Sequence, residues 1–215
     1  MGTGTPPDLA CDPAPDPTDL VRGDDGALRC WWAAVTPGMC RYHDIEWGKG
    51  GRDEVSLFER LSLEAFQAGL SWRIVLERRE ALREAFAGFK PTEVARFDDT
   101  DVARLLADTR IIRSRAKIVA VIDNARLLGQ LHERGIHLAG LTDTASARTA
   151  VDPALAPPRR REDVPAVTAA STLLAKDLRR LGWRFIGPTT AYAYLQAAGW
   201  VDDHLLGCHA RRARA

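Results

Sequence analysis

The 215-residue chain has no run of about eighteen consecutive apolar residues, so no membrane span is expected. It also lacks an excess of either charge. Thirty Lys and Arg face twenty-nine Asp and Glu, leaving a formal net charge of +1 and no global basic field. Any affinity for nucleic acid must therefore come from local patches. Cysteine is scarce and scattered, at positions 11, 30, 40 and 208, which excludes a disulfide scaffold and favours reduced thiols, some of them on a metal. No basic-then-apolar leader opens the sequence, so a cytoplasmic protein is expected. Alternating strand patterns and internal repeats are missing as well.

What is present points to a folded, helical domain. Hydrophobic residues make up 46% of the chain, enough for one sizeable core in a single domain or two small lobes. Residues 1–28 are rich in Pro, Asp and Gly without apolar periodicity and read as a disordered extension, with ordered structure starting near Arg29. From residue 55 the periodicity is helical. Helices are expected over 55–68, 72–87 after Ser71, 92–97 after Pro91, 101–108, 115–132 after Ser114, 171–181 and 189–198. Residues 142–167 carry "DPALAPPRRREDVP" and read as a non-helical connection. The fold class is all-α.

Within "SLFERLSLEAFQAGLSW", residues 56–72, Leu57, Phe58, Leu61, Ala65 and Ala68 recur at helical spacing. Glu64 falls on or beside that apolar face, shortly before a break at Gly69 and Leu70 and a tryptophan, Trp72. A carboxylate in that place asks for a partner.

Three groups of residues carry chemistry. Cys30 and His43 lie near the start, while His204 and Cys208, four apart, share one helical face; together they are a tetrahedral metal set with no open position. Spacing alone leaves open that these are core thiols and ordinary polar histidines. Trp31, Trp32, Tyr42, Trp47 and Trp72 crowd into 42 residues and suit stacking on a nucleobase, although any one of them also fits a core role. Arg110, Arg113, Arg115 and Lys117 gather where a hairpin enters the helix at 115, a place that suits phosphate or, equally, a solvated basic turn.

The motifs "RCWW", "YHDIEWG", "LEAFQAGLSW", "RIIRSRAKIVAVIDNAR" and "GWRFIGPTTAYAYLQAAGWVDDHLLGC" resemble the DNA-3-methyladenine glycosylase I family, the Tag type of the helix-hairpin-helix glycosylases. The resemblance implies a glycosylase domain over 29–209, followed by a basic tail at 210–215. The implied enzyme is monofunctional and acts as a monomer on double-stranded alkylated DNA. It flips 3-methyladenine out of the duplex and hydrolyses its N-glycosidic bond.

By the same resemblance, Cys30, His43, His204 and Cys208 ligate a structural zinc, and Glu64 is the carboxylate that recognises the base. Trp72 and Tyr42 are stacking walls, with Trp32, Trp47 and Met39 lining the site. From their positions alone, Gly69 and Leu70, at the turn between two helices, are expected to enter the vacated stack, and Arg110, Arg113, Arg115 and Lys117 to hold the backbone. Three features depart from the family pattern. Met39 replaces a tyrosine, Arg110 a hairpin glycine, and 141–157 lacks an aromatic-rich stretch. They keep two further readings in view, a non-catalytic module that binds alkylated DNA and a glycosylase for bulkier alkyl-purines.

Overall fold

The computed structural model describes residues 19–149 and 157–212. Expectations for residues 1–18, for 150–156 within the Pro- and Arg-rich connection, and for 213–215 of the tail lie outside those bounds. A two-stranded antiparallel hairpin comes first, β1 (Leu20–Arg22) pairing with β2 (Leu28–Cys30). Disorder was expected as far as residue 28, so the hairpin corrects that boundary. Strands of three residues cannot stand alone in water. This pair is held by a small apolar cluster in which Leu20 and Cys30 meet Leu205, Cys208 and Ala210 of the C-terminal segment. Composition could not reveal a tertiary cause of that kind.

Ten α-helices follow among the described residues: α1 (Pro37–Ile45), α2 (Glu54–Gln67), α3 (Trp72–Glu77), α4 (Arg79–Ala85), α5 (Pro91–Val94), α6 (Asp99–Ala107), α7 (Arg115–Glu133), α8 (Leu138–Arg148), α9 (Ala169–Leu181) and α10 (Pro188–Ala197). The expected helix over 72–87 is two, because Arg78 at φ −102°, ψ 2° bends the chain between α3 and α4. Residues 142–148, expected to be non-helical, form the end of α8. Helix α1 was not foreseen. It starts at Pro37, with the Thr36 hydroxyl accepting the Met39 N–H at 3.2 Å.

Helix α2 is the axis of the molecule. Asp53 caps its N-terminus by accepting the Ser56 N–H at 3.0 Å. From Leu57 to Phe66 all its residues but Arg60 are buried, which is the signature of a helix enclosed on several sides. It contacts α3, α7, α8 and α10, while α9 packs between α8 and α10. Phe66, Phe86, Phe89 and Phe97 form an aromatic cluster at one end of the core. Two tight connections matter for the site: 108–114 joins α6 to α7, and 182–187 joins α9 to α10. In the second, Gly182 adopts φ 107° to end α9, a conformation that favours glycine.

The 182–187 turn is fastened to α7 by buried Asn124. Its Nδ2 donates to the Arg184 carbonyl at 3.1 Å and its Oδ1 accepts the Arg184 N–H at 2.8 Å. Asn124→Ala removes both bonds without adding bulk. The expected loss is about 1–3 kcal/mol of unfolding free energy, seen as a lower urea midpoint with an unchanged m-value.

Candidate active site

Two carboxylates of α2 are buried within five residues of each other, and they live differently. Glu59 is paired: Arg79 Nε donates to its Oε1 at 2.7 Å and Arg83 Nε to the same oxygen at 2.8 Å. Glu64 is 5% exposed and has neither an ion pair nor a hydrogen-bond partner among the described residues. Burial alone pushes its pKa from 4.5 up to about 8. An acid kept in that state and facing a cavity is a candidate functional group.

The cavity it faces has a volume of about 280 Å³ and is lined largely by aromatic rings: Trp31, Trp32, Tyr42, Trp47 and Trp72. That is near the lower end of small-molecule pockets, about 300–1,000 Å³. Each wall comes from a different element. Trp31 and Trp32 lie on the 3-10 turn 31–35, Tyr42 on α1, and Trp72 opens α3. Tyr42 and Trp72 meet with ring centroids 5.3 Å apart, and Trp32 and Trp47 meet edge-to-face at 5.0 Å. Tyr42 is buried and its hydroxyl is held well above the usual phenol range, first by burial and then by Glu64, so it stays neutral. Trp72 Nε1, fully sealed from solvent, also has no hydrogen-bond partner among the described residues. Met39 lies buried in the same wall.

Several lining residues were not anticipated as site residues. Gln67 shares the face of Glu64 one turn on. Asp203 accepts from the Tyr192 hydroxyl and, at 2.8 Å, from Gln196 Nε2, and both Gln196 and Asp203 reach the cavity. The i+3 spacing from Glu64 was a usable signal for Gln67. Nothing local marks Asp203.

A second cavity adjoins the first. Glu64, Gln67 and Ala193 line both, and Ala68, Gly69, Leu70, Thr189 and Thr190 complete the second. Glu64 thus stands between the aromatic chamber and a second cavity edged by the 68–71 turn and the start of α10. Gly69 takes φ 80° in that turn, and Leu70 is 38% exposed beside it.

The four cations expected at the α7 entrance separate into two pairs. Arg113 and Arg115 are exposed and make no ion pair among the described residues. Arg110 is engaged, its guanidinium donating to Glu84 at 2.7 Å and to Asp108 at 3.0 Å. The backbone of Arg110 avoids positive φ, so the strain considered for an arginine in place of glycine does not arise. Lys117 does not stand free at the hairpin. Its Nζ donates to the carbonyls of Phe66 at 2.8 Å and Ala68 at 2.6 Å, capping the end of α2.

Cys30, His43, His204 and Cys208 do converge, and all four are buried. His43 Nε2 and His204 Nδ1 are 3.2 Å apart, and Cys208 Sγ lies 3.4 Å from the first and 3.6 Å from the second. Cys30 Sγ is 3.9 Å from His204 Nδ1. A tetrahedral ion bonded at about 2.05 Å to nitrogen and about 2.3 Å to sulfur sets N···N near 3.3 Å and N···S near 3.6 Å. The donor set fits. Second-layer contacts orient it. His43 Nδ1 faces Asp44 Oδ1 at 2.7 Å and His204 Nε2 faces the Trp47 carbonyl at 3.4 Å, which turns the opposite nitrogens inward. Asp44 is itself held by Arg29 at 2.8 Å and His209 at 2.8 Å.

Residues 32–212 match the methyladenine glycosylase family. The chain is 40% identical to DNA-3-methyladenine glycosylase 1 of Escherichia coli over 180 residues, covering 84% of this chain and 95% of that protein. A crystal structure of a 3-methyladenine DNA glycosylase I superposes with a TM-score of 0.78 at 40% identity, over 86% of this chain and all of the other. The Staphylococcus aureus 3-methyladenine DNA glycosylase I, solved for the structural basis of its 3-methyladenine recognition, superposes at 0.78 with 31% identity, over 87% and 98% of the two chains.

The raised pKa of Glu64 has a stability consequence of definite sign. Below about pH 4.5 folded and unfolded states both carry its proton. Between 4.5 and about 8 the unfolded chain ionises Glu64 while the folded protein does not, so this group disfavours folding increasingly as pH rises. Glu64→Gln is expected to unfold at nearly the same urea concentration as the parent at pH 5. At pH 8 it should be more stable by on the order of 4 kcal/mol, from about 1.4 kcal/mol per unit across that window.

Proposed function

The chain belongs to the methyladenine glycosylase family, and from that premise we propose how its pocket removes 3-methyladenine from alkylated DNA. The reaction is hydrolysis of the N-glycosidic bond, leaving an abasic site. One observation carries our reading of the site: an unpaired buried carboxylate, Glu64, facing a cavity of about 280 Å³ lined by aromatic rings.

A base must leave the duplex before it can be read in such a chamber. 3-Methyladenine in DNA is cationic and stacks well on the electron-rich faces of Trp72 and Tyr42. Its charge makes ionisation of Glu64 favourable, so binding near neutral pH releases the carboxyl proton and creates a buried ion pair. The exocyclic amine of the base donates to the same carboxylate. Ordinary adenine brings no charge, leaves Glu64 protonated and gains none of this, which is the basis of selection.

When the glycosidic bond breaks, its electron pair goes to the base, which departs neutral, while positive charge moves to the sugar. Glu64 borders both the chamber and the adjoining cavity, so the anion stays beside the charge as it migrates. Water then adds to the sugar cation. A leaving group that is already cationic needs little acid catalysis, and no lysine is assigned as a covalent nucleophile.

DNA approaches the second cavity in this reading. Leu70, on the Gly69 turn, fills the space the base vacates, and Arg113 and Arg115 grip phosphates with the start of α7. Arg110 adds little charge because Glu84 and Asp108 neutralise it. The protein works as a monomer of helix-hairpin-helix type on double-stranded DNA, in the cytoplasm. The four-ligand cluster holds a structural zinc. A small chamber favours a methylated base over bulkier adducts, despite Met39.

The deciding experiment incubates the protein with duplex DNA treated with a methylating agent and quantifies the bases released. Free 3-methyladenine is expected, with Glu64→Gln slower by about 10- to 100-fold, the range for loss of a hydrogen bond to a charged group. Release unaltered by the substitution would remove Glu64 from the site, and no release by folded parent protein would leave a DNA-binding module. Separately, elemental analysis should find one zinc per chain. Stripping it with a chelator should lower Tm by about 10 °C or more, without the ion having any role in the chemistry.

A further inference from the structure

Glu54 opens α2, ten residues and about 15 Å along the axis from Glu64, well away from the base chamber. Two histidines from two other elements meet it there. His132 lies in the last turn of α7, and His137 stands at the N-cap of α8. His132 Nε2 is 2.8 Å from Glu54 Oε1. The imidazoles of His132 and His137 have centroids 4.8 Å apart and are inclined by 33°. One ligand atom from each of the three lies within 4.8 Å of the other two.

We propose that this corner is a second metal site, selective for a divalent transition ion of the imidazole-preferring kind, such as Ni²⁺, Co²⁺, Cu²⁺ or Zn²⁺. A hydrogen-bonded pair accounts for Glu54 and His132 but not for the approach of a third ligand, His137, to both. The spacing of the pair suits an ion as it stands. Two ligands bonded at about 2.05 Å and at right angles to each other are about 2.9 Å apart, close to the observed 2.8 Å. The carboxylate is already aimed, because the same oxygen accepts the Leu138 N–H at 3.1 Å. His137 is exposed, so its imidazole can turn inward without disturbing the core.

Two imidazoles and one carboxylate leave positions for water, so this ion exchanges, unlike one enclosed by Cys30, His43, His204 and Cys208. Its effect is to cross-link the start of α2 to the α7–α8 corner. Such a link adds stability and leaves base excision unchanged.

The test uses tag-free full-length protein whose resident metal has been measured. Nickel is titrated calorimetrically, with nickel and zinc both quantified after dialysis. One Ni²⁺ per chain should bind beyond the resident ion, without displacing it, and should raise Tm. His137→Ala, which removes only an exposed imidazole, should bind nickel at least tenfold more weakly. It should lose the thermal shift while keeping its resident metal and its metal-free Tm. Glu54→Gln, which retains an acceptor for Leu138, should also weaken binding. The proposal fails if the parent takes up no additional nickel, if nickel gained equals zinc lost, or if His137→Ala binds as the parent does.

Discussion

An unpaired carboxylate inside a helical core is the constraint around which this molecule is organised. Leaving Glu64 without a partner is unfavourable to folding above mildly acidic pH, and the chain accommodates it by keeping the proton on. The rest of α2 shows that this is not a general tolerance. Glu59, buried on the same helix, is given two guanidinium groups. The contrast within five residues separates a structural carboxylate from one held in reserve. It also explains why α2 is surrounded on so many sides, since a raised pKa requires water to be kept from the carboxyl.

The aromatic chamber depends on a second constraint, closure of the chain on itself. Trp31, Trp32 and Tyr42 stand on segments that precede α2, and α1 packs chiefly on the 31–35 turn and α3. The hairpin, α1 and the C-terminal segment are joined through the Cys–His cluster, the Arg29–Asp44–His209 contacts and the His209 N–H donated to the Leu28 carbonyl at 2.8 Å. An ion bound by the four ligands, as proposed, would act on the pocket by fixing where its outer wall stands. Asp44 is central to this arrangement, receiving Arg29, His43 and His209 at once, and its carboxyl is held well below the usual range despite partial burial, by Arg29 foremost among these three partners.

Much of this was legible in the sequence where residue chemistry is restrictive. Cys30, His43, His204 and Cys208 are an open set by spacing and become a ligand set through the family resemblance, while a glutamate within an apolar helical face is conspicuous by itself. What escaped were features that exist only through tertiary contact. Arg110 looks like a DNA cation until Glu84, twenty-six residues earlier, is found beside it. Lys117 looks like a second one until the end of α2 is seen to occupy it. Three-residue strands carry no period to detect. Asp203 is one acid among many in sequence, and only Tyr192, Gln196 and the cavity distinguish it. Helix α1 hid because a nine-residue segment with a wall of mixed aromatic and polar groups has no single apolar face.

The amine of Lys117 has a further consequence. It belongs to the first turn of α7, two residues beyond Arg115, yet it binds the carbonyls on which the Gly69 turn begins. Under the proposed reading, the arginines that would grip the strand and the loop that would intercalate are gauged against each other by one side chain of fixed reach. Shortening it would leave every surface cation in place and still spoil the alignment, much as a calliper with a loose pivot keeps both its jaws and measures nothing.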